Sequence, residues 1–236
     1  MNKIKFNSPY ITGKELYYIK DVFRQNQFFG VGKYTLRCEK IIQKILSSKY
    51  VLLTDSCTSA LEISALILKK NKYDEVIIPS YTFTSTASAY LKAGFKIKFV
   101  DVDPLTAMVD YKGVSKLINK NTRAILCVHY GGNSADILKI RKICKKKNIT
   151  LVEDAAQGFN CFLNNKSLGT YGNFGCFSFH ETKNIHAGLA GALVVKNKKD
   201  FIRALYIRDR GTDRDEMIRK NKKKYSWVEL GGSYYP

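Results

Sequence analysis

The segment Thr150-Leu151-Val152-Glu153-Asp154-Ala155-Ala156-Gln157 places a short apolar run directly before two carboxylates and a series of small residues. Such a run is typical of a strand that is buried on both faces of a parallel sheet. Because ligands of open α/β sheets bind beyond the carboxyl ends of the strands, Glu153 and Asp154 are candidates for a functional site. An acid at the start of a helix is the alternative interpretation of these residues.

Similar apolar runs recur along the chain and alternate with helical patterns. The predicted strands are 50–54, 75–79, 96–100, 124–128, 150–153, 175–179 and 192–196, and the predicted helices are 13–26, 34–47, 58–69, 84–93, 111–118, 135–147 and 200–209. This alternation predicts an α/β fold with helices on both faces of a mostly parallel seven-stranded sheet. About a dozen residues, including Gly188 and Gly191, separate the last two strands, too few for a crossover helix. We therefore expect one antiparallel strand at the end.

The composition fits a single large domain preceded by an arm. With 236 residues, 45% of them hydrophobic, the chain can bury a sizeable core. We assign 1–32 to an N-terminal arm and helix and 33–236 to the large domain. The roughly 40 residues that follow the last predicted strand are too few for a second domain.

The formal charge of +20 raises the question of a nucleic-acid or membrane partner. The lysines lie in short runs such as 145–147 and 222–224, and no nucleic-acid motif accompanies them, so we expect neither partner. The six cysteines form no C-x-x-C pair, which predicts no metal site and no disulfide framework. The start of the chain lacks the apolar segment of a signal peptide, and we expect a cytoplasmic protein.

Two more polar segments directly follow predicted strands. The first, Thr54-Asp55-Ser56-Cys57-Thr58-Ser59-Ala60, opens a helix and suits either a phosphate site or ordinary capping by Ser56 or Thr58. The second, Phe177-Ser178-Phe179-His180-Glu181-Thr182-Lys183-Asn184, presents a lysine that could form an imine with an aldehyde cofactor. Lys183 could equally be a surface lysine, because most lysines are. A carboxylate such as Asp154 could pair with a protonated pyridine nitrogen.

Four segments in order carry a family resemblance. They are 79–86 (PSYTFTST), 128–131 (VHYG), 152–157 (VEDAAQ) and 177–184 (FSFHETKN). Together they resemble the fold-type-I, aspartate-aminotransferase-like enzymes of pyridoxal 5'-phosphate (PLP), specifically the nucleotide-sugar aminotransferases of the DegT/StrS group. The resemblance implies a three-layer αβα PLP-binding large domain and a homodimer. It also implies transamination of a nucleotide-linked 4-keto-6-deoxy sugar with L-glutamate as amino donor.

The resemblance also implies roles for individual residues. Lys183 is the catalytic residue that joins the cofactor covalently and moves protons, and Asp154 binds the pyridine nitrogen. The other implied cofactor contacts are Gln157 at the phenolic oxygen, Phe83 on the ring face, and Thr58, Ser59 and Ser178 at the phosphate. His129 and Tyr130 are implied substrate contacts, although His129 could equally be a structural histidine.

Three further implications concern specificity and completeness. Segments 56–58, 178–184 and 211–214 look most like transaminases that make dTDP-4-amino-4,6-dideoxygalactose. Sugar dehydratases of the family carry histidine in place of the lysine, so Lys183 favours transamination. Family members usually carry Gly-Glu-Gly-Gly where this chain has Gly188-Leu189-Ala190-Gly191, and they continue into a small C-terminal domain that we expect to be absent here. The alternative function is therefore a truncated, non-catalytic remnant that binds PLP or dimerises.

Overall fold

The structure is a computed structural model that describes residues 4–5, 7–26, 28, 30–68, 71–220 and 223–236. Lys69, the last residue of the predicted helix 58–69, and Lys222 of the basic run 222–224 lie outside these residues. The helices are α1 (Glu15–Gln25), α2 (Lys33–Leu46), α3 (Cys57–Ile67), α4 (Thr84–Lys92), α5 (Tyr111–Leu117), α6 (Ile137–Lys147), α7 (Lys198–Arg208) and α8 (Arg214–Lys220). The strands are β1 (Tyr50–Thr54), β2 (Glu75–Pro79), β3 (Lys96–Val100), β4 (Thr122–Val128), β5 (Thr150–Asp154), β6 (Phe162–Leu163), β7 (Lys166–Ser167), β8 (Phe174–Ser178) and β9 (Gly191–Val195).

Seven of these strands form one mixed sheet. Its order is β1-β9-β8-β5-β4-β2-β3, and β9 runs antiparallel to both of its neighbours while the other pairs are parallel. The sequence-based prediction of a mostly parallel sheet with one antiparallel strand is thus confirmed. The carboxyl ends of β1, β8, β5, β4 and β2 meet at one edge of this sheet. The antiparallel strand β9 begins at the same edge, where Gly191 pairs with Thr54 and Ser178.

Side chains alternate between the two faces of the sheet and build two helical layers. Leu52, Leu126 and Cys176 point into the core beneath α3, α4 and α7. Their neighbours Ile125 and Val51 point to the opposite face, which α2, α5 and α6 cover. Apolar side chains on both faces explain why the strands are continuous apolar runs. The three-layer αβα architecture is confirmed.

A short hairpin, β6 and β7, was not predicted from the sequence. Its two-residue strands are too short for a periodic signal, but its turn is formed by Asn164 and Asn165, both with positive φ (47° and 58°). Such a pair is a signal for a tight hairpin turn and could have revealed it. Helix α8 and the single helical turn at Tyr130–Gly132 were missed as well. In the described part of the chain, no helix combines the length and the apolar character needed to span a membrane.

A buried ion pair holds the outer edge of β1. Arg208 and Glu39 are both almost fully buried, and their Nη1 and Oε1 atoms lie 2.9 Å apart. Glu39 Oε1 also accepts the Leu53 N–H (3.0 Å), and Arg208 Nη1 donates to the Leu53 carbonyl (3.0 Å). The pair therefore satisfies both main-chain groups of an edge-strand residue and ties α2 and α7 to the sheet.

Candidate functional site

A cleft of about 530 Å³ opens at the carboxyl edge of the sheet. Eight of the nine predicted site residues line it, namely Thr58, Phe83, His129, Tyr130, Asp154, Gln157, Ser178 and Lys183. The ninth, Ser59, is buried behind the wall, where its Oγ lies 3.1 Å from Ser56 Oγ. Residues that are more than 100 positions apart in the chain thus converge because their strands end at the same edge.

Asp154 ends β5 and points a buried carboxylate into the cleft. The residue is 4% exposed, its Oδ2 accepts from Thr86 Oγ1 (2.7 Å), and its Oδ1 accepts from the Ala156 N–H (3.2 Å). Burial raises the pKa of Asp154, and these two hydrogen bonds oppose that rise. Within the described chain the carboxylate makes no ion pair closer than 4 Å. Each of its oxygens therefore keeps a lone pair for a cationic ligand group.

Lys183 lies in the loop that connects β8 to β9. The loop is a hairpin in which the Phe179 N–H donates to the Ala190 carbonyl (2.8 Å) and the Lys183 N–H donates to the His180 carbonyl (2.9 Å). Lys183 is partly exposed and also lines a second, adjoining cavity of about 280 Å³. His180 lines the main cleft too, with its Nδ1 close to the Thr182 N–H (3.3 Å).

The first turn of α3 forms another wall. Ser56 caps the helix by accepting the Ser59 N–H (3.1 Å), which is the capping alternative noted for this segment. Among the described residues, the N–H groups of Cys57 and Thr58 donate to no protein acceptor. Thr58 Oγ1 lies 2.8 Å from Ser85 Oγ, and both side chains line the cleft. Free N–H groups at the positive end of a helix favour an anionic group there.

Gly191 explains how closely the sheet approaches this turn. A Cβ at Gly191 would lie 2.3 Å from the Ser56 carbonyl carbon and 2.5 Å from the Cys57 nitrogen. Only a residue without a side chain allows β9 and the start of α3 to pack at this distance. The glycine therefore fixes the position of the free N–H groups relative to the Lys183 loop.

Gln157 and Phe83 shape the middle of the cleft. The Gly131 N–H donates to Gln157 Oε1 (2.7 Å), which leaves the amide NH₂ of Gln157 as its available donor. Phe83, the residue that precedes α4, is 75% exposed and presents a ring at the cleft wall. Ala156 also lines the cleft. A flat ligand ring could therefore find an apolar wall and one amide donor.

His129 is fully buried, and both of its ring nitrogens are engaged. Nδ1 accepts the Ala135 N–H (3.3 Å), so the proton lies on Nε2, which donates to Glu153 Oε2 (2.9 Å). Glu153 also accepts the N–H groups of Gly169 (2.8 Å) and Gly172 (2.6 Å). Any substrate contact of His129 therefore has to use its ring face, since no ring nitrogen is available. Glu153, the first of the two candidate carboxylates, is therefore a structural residue that accepts hydrogen bonds from His129 and from two backbone N–H groups.

Tyr130 forms the rim of the cleft together with Tyr81. The two hydroxyls lie 3.1 Å apart and the ring centroids 4.9 Å apart. The hydrogen bond that Tyr130 shares with Tyr81 favours the protonated hydroxyl and raises the pKa of Tyr130. Tyr81, Ser85 and Thr86 were not assigned roles from the sequence, although all three lie in or beside the quoted segment 79–86. The sequence shows there only a helix start that is rich in hydroxyl residues.

Comparisons with known proteins identify relatives of this chain in sequence and in fold. GDP-perosamine synthase of Escherichia coli O157:H7 is 29% identical over 211 residues, which are 89% of this chain and 58% of that protein. PseC of Helicobacter pylori, an aminotransferase involved in the biosynthesis of pseudoaminic acid, has a TM-score of 0.91 at 23% identity and supports the fold alone. It is matched over 100% of this chain and 62% of its own.

A third relative was solved with cofactor. The E. coli GDP-4-keto-6-deoxy-D-mannose-3-dehydratase with bound hydrated PLP has a TM-score of 0.88 at 27% identity, over 100% of this chain and 64% of its own. The chain thus spans less than two thirds of the length of each of these relatives. The DegT/DnrJ/EryC1/StrS aminotransferase family matches residues 9–234. Because this match covers nearly the whole sequence, the chain belongs to the DegT/DnrJ/EryC1/StrS aminotransferase family.

Proposed function

We propose that the protein is a PLP-dependent aminotransferase that transfers the amino group of L-glutamate to a nucleotide-linked 4-keto-6-deoxy sugar. The observation that carries this proposal is the buried carboxylate of Asp154, which has no cationic partner among the described residues and shares one cleft with Lys183. A buried carboxylate is costly unless it is paired. A protonated pyridine nitrogen would supply the missing partner.

The rest of the cleft fits PLP at each of its functional groups. The free N–H groups of Cys57 and Thr58 suit the phosphate. Ser178 Oγ accepts the His180 N–H (3.3 Å) and keeps its own proton for donation to the phosphate. Gln157 lines the cleft with its amide oxygen held by the Gly131 N–H, and its amide NH₂ could donate to the phenolic oxygen. Phe83 provides a wall for the ring face. The predicted roles of Thr58, Phe83, Asp154, Gln157, Ser178 and Lys183 are part of this proposal, whereas Ser59 would act only from behind the wall.

Each residue has a separate task in this mechanism. PLP, when bound, supplies the electron sink that makes the α-hydrogen of glutamate acidic. Lys183 would hold the cofactor covalently before substrate arrives, and its Nζ, once released, would take the α-proton of glutamate and later deliver a proton to C4 of the sugar. Asp154 stays ionised and fixes the position and charge of the ring nitrogen. Glutamate leaves as 2-oxoglutarate, and the keto-sugar leaves as an amino sugar.

The choice of substrate class rests on the relatives. The names of the two E. coli relatives refer to GDP-linked sugars, perosamine and 4-keto-6-deoxymannose. The narrower sequence resemblance was to enzymes that make dTDP-4-amino-4,6-dideoxygalactose. The relatives and the resemblance thus differ in the nucleotide, and the proposal names the 4-keto-6-deoxy sugar and not the nucleotide. The second cavity beside Lys183, whose walls include Tyr130 and Ile185, is where we place the sugar.

We also propose a homodimer. Helix α1 buries none of its residues, and its Leu16, Tyr17 and Phe23 are exposed. Exposed apolar side chains of this size favour association. A dimer in sedimentation velocity that Phe23→Glu converts to monomer would support the proposal, and a wild-type monomer would contradict it.

The first experiment tests cofactor attachment. The purified chain is mixed with PLP and reduced with borohydride, and the labelled peptide is identified by mass spectrometry beside a Lys183→Ala control. We expect one label, on Lys183. Equal labelling of the control would refute the proposed role of Lys183.

The second experiment tests transamination in two half-reactions. Glutamate should convert the loaded chain to its aminated form and release 2-oxoglutarate, and dTDP- or GDP-4-keto-6-deoxy sugar should reverse the change. A chain that is labelled on Lys183 but inert to glutamate would support the alternative of a non-catalytic PLP-binding remnant.

A further inference from the structure

Thr86 lies directly behind Asp154 in the first turns of α4. Both residues are almost completely buried, and Thr86 Oγ1 lies 2.7 Å from Asp154 Oδ2. A second hydroxyl, that of Thr82, lies 2.8 Å from Thr86 Oγ1. The three side chains thus form a continuous chain of hydrogen bonds that ends on the carboxylate.

The ionised carboxylate of Asp154 determines which hydroxyl donates in each of these two hydrogen bonds. An ionised carboxylate only accepts, so the single hydroxyl proton of Thr86 is donated to Asp154. Thr86 Oγ1 must then accept its second bond from the Thr82 hydroxyl. A donor that is itself accepting a hydrogen bond is polarised and donates more strongly.

Thr86 makes this bond in place of the usual one. A threonine inside a helix commonly returns its hydroxyl to a backbone carbonyl three or four residues earlier. The hydroxyl partners of Thr86 in the structure are the side chains of Thr82 and Asp154. Because Asp154 is 68 residues away in sequence, this hydrogen bond depends on the tertiary fold and not on the local helix.

The electrostatic consequence concerns the charge of Asp154. Burial raises the pKa of this carboxyl, and the Thr86 hydrogen bond is the largest influence that lowers it. The carboxylate must be ionised to pair with a protonated ring nitrogen. The Thr86 hydrogen bond therefore opposes the effect of burial on the pKa of Asp154 and favours the ionised carboxylate.

We infer that Thr86, supported by Thr82, is a positioning residue that holds the Asp154 carboxylate ionised and oriented toward the cofactor ring nitrogen. This inference rests on the proposed PLP function and adds to it two residues whose hydroxyls are hydrogen-bonded to each other and, through Thr86, to Asp154. The hydroxyl pair acts through Asp154.

The test compares four variants loaded with PLP that carries ¹⁵N in its ring. Thr86→Val removes the hydroxyl with little change of volume, Thr86→Ser restores it, and Thr82→Val removes only the supporting donor. Thr84→Val is the matched control, because Thr84 is exposed on the same helix. The readouts are the ¹⁵N chemical shift of the ring nitrogen, which reports its protonation, and the dissociation constant of PLP.

We expect a graded result. Thr86→Val should bind PLP about tenfold more weakly and lower the protonated fraction of the ring nitrogen, since a hydrogen bond to a charged group has been removed. Thr82→Val should change both readouts less in the same direction, and Thr86→Ser should match the wild type. Should Thr86→Val fold poorly, Thr82→Val still tests the chain of bonds.

The two proposals fail in different ways. A wild-type chain that binds no PLP refutes the proposed function. A wild-type chain that binds PLP while Thr86→Val and Thr82→Val give the nitrogen shift and affinity of Thr84→Val refutes the positioning role and leaves the function intact.

Discussion

Replacing Arg208 by methionine should destabilise the chain more than any exposed substitution. The change leaves Glu39 buried, with only the Leu53 N–H as a donor, and leaves the Leu53 carbonyl without its guanidinium donor. Removal of one partner from a buried ion pair costs about 3–5 kcal/mol. For a chain of this length each kcal/mol lowers the melting temperature by about 2–4 °C, so we expect a decrease of about 6–20 °C.

The assays are thermal and urea unfolding, each followed by circular dichroism, with Arg210→Met as the matched control. Arg210 has a side chain that is 59% exposed and pairs with Asp209, and an exposed ion pair contributes only about 0–1 kcal/mol. The double variant Glu39→Gln/Arg208→Met should recover part of the loss, because the remaining buried group is neutral and can still accept the Leu53 N–H. If Arg208→Met costs no more free energy of unfolding than Arg210→Met, the reasoning about the β1 edge is wrong.

Three further changes test the cleft. Burial raises the pKa of Asp154 above its unfolded value, so its contribution to stability is complete below the unfolded pKa and is lost as pH rises through the folded pKa. Asp154→Asn should therefore raise the urea midpoint of the PLP-free chain near about pH 8 and lose that advantage near about pH 4, while PLP binding weakens; an advantage that does not change with pH would contradict this. Gly191→Ala should cost about 1–3 kcal/mol and weaken PLP binding, because its Cβ meets the Ser56 backbone, and wild-type affinity in calorimetry would contradict the assigned phosphate site. Ser56→Ala should cost about 1 kcal/mol of unfolding free energy through loss of the α3 cap, and an unchanged urea midpoint would count against that cap.

The sequence predicted what depends on local pattern. The strand end that carries Asp154, the loop that carries Lys183 and the antiparallel final strand follow from apolar runs and from a connection too short for a helix. Thr86 was not assigned because its hydroxyl meets Asp154 only after β2 and β5 have both paired with β4 in the sheet. The pairing of Glu39 with Arg208 spans 169 residues and has no local signal at either position. Side-chain partners across the fold are set by packing, which a single sequence does not show.

The antiparallel pairing of β8 with β9 joins the two ends of the loop that carries Lys183. Ser178 and Gly191 face each other across the β8–β9 ladder, and the Phe179 N–H bond to Ala190 closes the loop again one step further out. Closing a short loop carries a smaller entropic cost than closing a long one, so the ladder holds both ends of this segment firmly. Leu189 adjoins the joined base, whereas Lys183 lies further out in the loop. The ladder therefore fixes where the loop that carries Lys183 leaves the sheet beside Asp154, which ends the neighbouring strand β5.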